Sequence, residues 1–348
     1  MPKSIEKQLA ADDADRISDA LTTGDLTASM LSKDGNTAIH EACRHGSVKC
    51  LDICIANGFS LDVARGADGG TPLMYTAQNG HAACMQRLLA AGAAVNLQQA
   101  EGTTALHYSS RWNHVECVDL LLANKVSINA ARNDGITALM ISARHGNPAV
   151  VDRLIGAKAD PKLRSKEHLA ALDYACREGH ASIVSALLRA KAPKEERVEE
   201  LQGTRPVHWA ANAGHAAVLD ALLDAGASAD VLRDDSSSAL HYACMAGHVE
   251  CVRSLLLHGA NANLRRQADG APPLHLAAQQ GNSAVVQALL DAGADVDAYV
   301  TNRVSGAQAK LGSKTTALDL ATQGRHREAV SALERAGARS GVILDVAP

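Results

Sequence analysis

The stretch from Ala105 to Leu122 brings together residue types that can bind metal or act as nucleophiles. It reads ALHYSSRWNHVECVDLLL and places His107, His114 and Cys117 close together in the chain. Imidazole nitrogen and Cys thiolate are zinc ligands, and a Cys beside a His can be an activated nucleophile. The same residue types also occur in packed helices. A metal site, a catalytic site and a structural role are therefore the three alternatives.

The composition favours closely packed helices. The chain has 348 residues, of which 47% are hydrophobic and only 2% aromatic. The apolar fraction is rich in Ala and Leu, which suits helices in close contact. The formal net charge of -4 provides no general attraction for nucleic acid or a membrane surface. No apolar run is long enough to span a membrane and no signal peptide is evident, so we expect a cytoplasmic protein, with the nucleus as an alternative.

A phrase of about 33 residues recurs along the chain. The stretch SALHYACMAGHVECVRSLLLHGA, residues 238–260, aligns with the opening stretch in register. The aliphatic residue of the phrase recurs at Ile39, Leu73, Leu106, Leu139, Leu172, Val207, Leu240, Leu274 and Leu318. With its TPLH-like start, central G-H and closing LL-x-x-GA, the phrase resembles the ankyrin repeat.

The resemblance implies an all-α fold, an ankyrin-repeat α-solenoid of stacked helix–turn–helix units with β-hairpin-like turns. We expect about nine repeats over residues 34–338, with a polar capping partial repeat at 1–33 and a C-terminal tail at 339–348. The longer spacing before the last repeat predicts an insertion near 298–314. An irregular junction near 193–204 predicts a looser seam.

Residue chemistry predicts where the helices begin and end. Hydroxyl residues stand where an N-cap is expected, at Thr37, Thr71, Thr104, Thr137, Ser238 and Thr316. Three positions later come side chains that we expect to bond back to the helix start, namely His40, His107, His241, His275, Asp173 and Asp319. A loop glycine such as Gly80 then supplies the positive φ at the end of the first helix.

The repeat assigns the suggestive Cys and His residues to packing positions. Four cysteines share one position of the second helix, namely Cys50, Cys84, Cys117 and Cys251. Three share a small-residue position at the end of the first helix, namely Cys43, Cys176 and Cys244. The eighth, Cys54, replaces a Leu. A free buried Cys behaves as a small hydrophobe. The chain has no C-x-x-C, G-x-S-x-G, P-loop or H-E-x-x-H motif. We therefore predict no metal, no cofactor and no catalytic site.

Function is expected at residues that the repeat does not require. The resemblance implies protein binding through the turn tips and the exposed side of the first helix, which line a concave groove. Before the loop glycine, four of the first five repeats carry an Arg, accompanied by Trp112 and His145, and Arg and Trp are enriched among binding hot spots. We predict a site for an acidic, extended segment of a partner protein, on a monomeric scaffold or adaptor, at Arg44, Arg111, Trp112, Arg144, His145 and Arg177.

Several alternatives stay open at this point. Single-stranded RNA could stack on Trp112 and be neutralised by the arginines, or the arginines could form a solvated face with Trp112 packed on its neighbours. The insertion could add a second contact through Arg303, Lys310 and Lys314, or be disordered. Finally, in some members of the family asparaginyl hydroxylases modify the turn position that Asn96, Asn129 and Asn263 occupy.

Overall fold

The computed structural model describes residues 1–66, 68–301 and 314–341, and it divides the chain into two compact units, Met1–Ala171 and Leu172–Pro348. The first unit contains five consecutive helix pairs: α1 Lys3–Ala10 and α2 Ala14–Thr23, α3 Ala38–His45 and α4 Val48–Ala56, α5 Pro72–Asn79 and α6 Ala82–Ala90, α7 Ala105–Arg111 and α8 Val115–Ala123, α9 Ala138–Arg144 and α10 Pro148–Gly156.

The second unit also consists of consecutive helix pairs. Its first helix, α11, begins at Ala171, the last residue of the first unit. Its elements are α11 Ala171–Glu178 and α12 Ala181–Arg189, the short 3₁₀ helix Glu199–Leu201, α13 Pro206–Ala213 and α14 Ala216–Asp224, α15 Ala239–Ala246 and α16 Val249–Leu257, α17 Pro273–Gln280 and α18 Ser283–Asp291, the strands β1 Tyr299–Thr301 and β2 Lys314–Thr316, and α19 Ala317–Gln323 and α20 Arg327–Arg335. Within the described parts of the chain, no helix has the length and apolar character needed to span a bilayer.

The helices of the first unit stack in two layers. The first helices of successive pairs, α1, α3, α5, α7 and α9, pack one against the next, and the second helices do the same. The core between the layers is aliphatic, with Leu106 and Leu121 essentially inaccessible to solvent. In the second unit, α13, α15, α17 and α19 stack in the same way over a core that includes Leu240 and Leu255. Helical repeats stacked in layers are the α-solenoid that the sequence predicted.

All six hydroxyl residues occupy the predicted N-cap positions, but the Thr71 side chain forms no capping hydrogen bond. At the start of α7, the Thr104 hydroxyl lies 2.8 Å from His107 Nδ1, and the Thr104 backbone N–H donates to the same nitrogen at 3.1 Å. The expectation for His275 was wrong in one respect. The N-cap of α17 is Pro272, which has neither an N–H nor a hydroxyl, and Nδ1 of His275 has no hydrogen-bond partner among the described residues.

Capping histidines other than His241, whose Nε2 has no hydrogen-bond partner among the described residues, also join neighbouring repeats. Nε2 of His40 donates to the Gly70 carbonyl at 3.1 Å, and Nε2 of His107 donates to the Ile136 carbonyl at the same distance. In the second unit, Nε2 of His208 reaches the carbonyl of Val231 at 3.1 Å. Each imidazole therefore closes one helix start and holds the turn of the following repeat.

The irregular junction and the insertion both have defined contacts where they are described. At the junction near 193–204, Arg197 forms an ion pair with Asp234 at 2.5 Å, and the Ser228 N–H donates to Glu195 at 2.6 Å. At the insertion, β1 pairs with β2 in antiparallel register, and the Lys314 ammonium lies 4.9 Å from the Tyr299 ring centre. Residues 302–313, including Arg303 and Lys310, lie outside the described residues.

Acid is expected to destabilise the fold through its buried capping histidines. Burial lowers the pKa of four of them to about 4, namely His107, His208, His241 and His275. An unfolded chain binds a proton near pH 6.5, so stability is fully present above that pH and is lost as the pH falls towards 4. At about pH 5.5, the low pKa of each of these histidines should lower the free energy of unfolding by about 1 kcal/mol.

We therefore expect the melting temperature, followed by circular dichroism, to fall by several degrees between about pH 7 and about pH 5.5. The variant His107→Asn, which keeps an acceptor at the helix start but cannot titrate, should show a smaller drop. A melting temperature that is the same at both pH values would contradict this assignment.

Gly80 and Gly92 provide a matched test of the packing between repeats. Both have a positive φ, of 76° and 93°. A Cβ on Gly80 would lie 2.6 Å from the His114 ring, whereas a Cβ on Gly92 would meet no atom within 4 Å. We expect Gly92→Ala to cost about 1 kcal/mol through its backbone conformation alone, and Gly80→Ala at least about 1 kcal/mol more, because the imidazole must move and lose a hydrogen bond. Equal denaturation midpoints for the two variants would contradict this explanation.

Candidate functional site

The predicted site residues are exposed at the C-terminal ends of first helices. Arg111 ends α7 and Trp112 is its C-cap, and Arg144 and His145 hold the same two positions on α9. Because α7 packs directly against α9, the structure brings these four residues onto one surface, which we call the α7–α9 face. Arg44 lies on α3, with α5 between it and this face. The sixth residue, Arg177, belongs to α11 in the second unit.

Trp112 and Arg111 form a stacked pair at the surface. The Trp112 side chain is 52% exposed, the most for any aromatic residue described. The Arg111 guanidinium carbon lies 5.3 Å from the ring centre, within the range of a cation–π interaction. Arg111 forms no ion pair with any described residue. The pair therefore presents an aromatic surface and a cation whose donors face no carboxylate of the described chain.

Loop residues of the next repeat hold the backbone beneath these side chains. His81 Nε2 donates to the Arg44 carbonyl at 3.0 Å, and the Asn147 amide donates to the Arg111 carbonyl at 3.2 Å. In the second unit, His215 Nε2 donates to the Arg177 carbonyl at 3.1 Å. These bonds satisfy carbonyls that a helix end would otherwise leave unpaired. The exposed side chains consequently stand on a fixed backbone.

Two of the predicted arginines, Arg44 and Arg177, already have acidic neighbours. Nη1 of Arg44 lies 3.6 Å from carboxylate oxygens of both Asp34 and Glu41. Nε of Arg177 lies 3.6 Å from the carboxylate of the adjacent Glu178. The sequence prediction placed all four arginines in one site, because it did not identify Asp34 and Glu41 as partners of Arg44. Asp34 belongs to a turn ten residues earlier in the chain, and only folding brings it above the end of α3.

Acidic turn tips flank the α7–α9 face. The Arg132 guanidinium bridges two of them, lying 3.3 Å from Asp134 and 3.7 Å from Glu101. The tips are also tied together by their backbone, because the Asn133 N–H donates to the Glu101 carbonyl at 2.9 Å. Arg132 is therefore already paired with carboxylates of the turns, unlike Arg111.

The opening cluster of His and Cys is structural. His107 bonds to its own helix start and to Ile136, whereas His114 Nε2 donates to the Gln78 carbonyl at 3.2 Å. Cys117 is buried, and burial raises the pKa of its thiol to about 11. All eight cysteines are buried with free thiols. Within the part of the chain that the structure describes, no three His, Cys, Asp or Glu side chains are arranged to hold a metal ion.

The turn asparagines connect successive repeats. Asn96 Oδ1 accepts from the Ser127 N–H at 2.7 Å, and Asn129 Oδ1 accepts from the Asp160 N–H at 2.9 Å. Asn263 Oδ1 likewise accepts from the backbone N–H of Asp295 at 2.8 Å. Each side-chain amide therefore holds an exposed turn against the next repeat.

Comparisons with known proteins agree with this architecture. A family model described as ankyrin repeats (3 copies) matches six overlapping stretches, residues 9–99, 55–133, 73–165, 121–198, 139–235 and 207–300. No curated protein sequence matches the chain. The crystal structure of the human ASB11 ankyrin repeat domain is similar, with a TM-score of 0.59 and 28% sequence identity, over 65% of this chain and 99% of that one.

Ankyrin repeats are generally protein–protein interaction modules without catalytic activity. The family matches together extend from residue 9 to residue 300 and coincide with the stacked helix pairs. The chain belongs to the ankyrin repeat family.

Proposed function

We propose that this chain is a non-enzymatic adaptor that binds an acidic, extended segment of a partner protein across the α7–α9 face. The observation that carries the proposal is the exposed Arg111–Trp112 stack, in which Arg111 has no carboxylate partner within the described chain. Such an adaptor acts as a monomer, in the cytoplasm or the nucleus.

The chemistry of the pair favours a carboxylate beside an apolar group. A guanidinium binds a carboxylate through two parallel hydrogen bonds, and these are stronger than neutral hydrogen bonds. The open half of the Trp112 ring offers an apolar surface of the kind that supplies most of the energy in protein interfaces. A partner that presents a carboxylate beside an apolar side chain would contact both the Arg111 guanidinium and the Trp112 ring.

Helix spacing suggests the pattern of the partner. Packed helices lie about 10 Å apart, and an extended segment advances about 3.3 Å per residue. Acidic residues placed about three positions apart could therefore approach the helix ends of α7 and α9 in turn. A segment running along the helix ends would also stay clear of the acidic tips at Glu101 and Asp134.

Arg44 and Arg177 have a lesser part in this proposal. Their guanidinium groups already share carboxylates of this chain, and exposed ion pairs contribute little free energy. A partner carboxylate at either position would exchange one exposed ion pair for another. We therefore assign most of the affinity to the Arg111–Trp112 stack, with Arg144 beside it as the second cation of the face.

The double variant Trp112→Ala, Arg144→Glu is expected to weaken partner binding by about 100-fold or more, because it removes the apolar contact and reverses a charge. The partner would be captured from cell extract on the wild-type protein, identified by mass spectrometry, and its affinity then measured by titration calorimetry. Met245→Ala, at the corresponding exposed position of α15, is the matched control and should bind normally. A double variant that retains every partner at wild-type levels would contradict the proposal.

Salt dependence separates this function from RNA binding. A single-stranded RNA complex should lose affinity steeply as salt rises, because its counterions are released on binding. A protein partner anchored on Trp112 should keep much of its affinity, since apolar contact is not screened. Tight, salt-sensitive binding of a single-stranded oligonucleotide that depends on Trp112 would replace the adaptor proposal with the RNA alternative.

A further inference from the structure

The last described helix pair, α19–α20, exposes apolar side chains at positions that are buried in every earlier repeat. Leu318 on α19 and Val330 on α20 are both partly exposed. The residues at the same two positions of the preceding repeats, such as Leu274 and Val286, are at most 2% exposed. Each of those pairs is covered by the pair that follows it, whereas no helix follows α20 in the described chain. We call the uncovered side the α19–α20 face.

The residues after α20 return to the start of α19 and are fixed there. Asp319 accepts from the Ser340 hydroxyl at 2.7 Å and from the Gly341 N–H at 2.8 Å. Just before them, Arg339 binds Asp297 through its backbone N–H at 2.9 Å and its Nε at 2.7 Å. Two aspartates from different repeats therefore bring the chain to the edge of the α19–α20 face.

In internal repeats the same place belongs to the start of the next first helix. Nε2 of His107, the third residue of α7, donates to the Ile136 carbonyl at 3.1 Å, and Ile136 directly precedes Thr137, the N-cap of α9. Asp319 is the third residue of α19. Its bonds to residues 340–341 thus place those residues, relative to α19, where the start of α9 stands relative to α7.

The sequence at this point repeats the pattern of a helix start. Ser340-Gly341-Val342 aligns with Thr316-Ala317-Leu318, a hydroxyl residue followed by a small and then an aliphatic one. Gly341 is itself helical and buried. Two more aliphatic residues, Ile343 and Leu344, come next in the sequence. Residues 342–348 lie outside the described residues.

We propose that residues 342–344 cover the α19–α20 face in the way that the first helix of a following repeat would. Three consecutive aliphatic side chains supply apolar surface, and the exposed parts of Leu318 and Val330 are what that surface would remove from water. The segment is a partial repeat without a turn tip, since Ser340 comes only two residues after Ala338. The inference does not depend on the α7–α9 face, which belongs to the first unit.

An occupant from the same chain has the advantage over a second copy of the protein. The bonds from Ser340 and Gly341 to Asp319 already hold the chain beside the face, so little further ordering is needed to bring Val342 onto it. A second copy would have to lose its translational and rotational freedom and also displace the tethered segment.

Hydrogen–deuterium exchange of the full chain, followed by mass spectrometry, tests the proposal. Ile343→Asp should speed the exchange of α19 amides by about tenfold or more, because a carboxylate would not stay on an apolar face and local opening would become easier. Exchange in α13–α16 should not change. Pro348→Asp adds the same charge outside the covering segment and is the matched control, which should exchange as the wild type does.

A second variant acts through a described residue. A Cβ on Gly341 would collide with the Lys314 carbonyl and lie 2.9 Å from the Asp319 carboxylate, whereas a Cβ on Gly337 would meet no atom within 4 Å. Gly341→Ala should therefore displace the segment and speed exchange in α19 as Ile343→Asp does. Its control, Gly337→Ala, should leave the exchange of α19 as it is in the wild type.

Methyl spectra of the wild-type chain give a direct readout. Nuclear Overhauser cross-peaks are expected from the methyl groups of residues 342–344 to those of Leu318 or Val330, and their absence would overturn the inference. Unchanged α19 exchange in both Ile343→Asp and Gly341→Ala would overturn it as well. If Ile343→Asp exchanged normally while Val330→Asp converted a dimer into a monomer, the face would belong to a second copy and the inference would be refuted.

Discussion

A single helix pair of this chain cannot bury both of its apolar sides, and the rest of the structure depends on that constraint. Within each unit, an internal pair is covered on one side by the preceding pair and on the other by the following one. Burial of apolar surface supplies the main stabilising free energy, but it has no direction of its own. Hydrogen bonds between repeats set the register of the stack, and the buried imidazole of His107 shows how, because it binds Thr104 on one side and the Ile136 carbonyl on the other.

The same constraint explains why the buried histidines and cysteines of this chain stay in their neutral forms. A histidine that accepts at Nδ1 and donates at Nε2 must be neutral, and burial keeps the pKa of His107 and His208 low enough for that form to persist. Buried cysteines are kept protonated for the parallel reason that a thiolate would lose its hydration. These side chains hold helices together and are not available for catalysis.

Recognition of a partner falls to the part of the surface that is not packed between repeats. At the α7–α9 face, Trp112 and Arg111 cover each other in part and still expose a ring and a cation. In the second unit, the corresponding side of α13 borders a recess whose polar groups are mostly engaged with one another. A repeat array can combine such surfaces because each one is built from adjacent repeats.

The sequence by itself determined the period, the helix starts and the packing positions, because each of these follows from local chemistry that recurs in every repeat. A hydroxyl before a helix, an aliphatic residue at a fixed spacing and a glycine after the helix predict the same unit wherever they occur. The sequence also showed that no repeat position requires Trp112, but it left open whether the ring is exposed or packed on its neighbours. Tertiary structure alone decided which charges meet. Arg44 faces Asp34 and Arg132 bridges Glu101 and Asp134 because folding brings turn tips and helix ends together, and the same folding left Trp209, among the described residues, without the acceptor that Tyr75 has. Such pairings depend on distances across the fold, which a one-dimensional pattern does not contain.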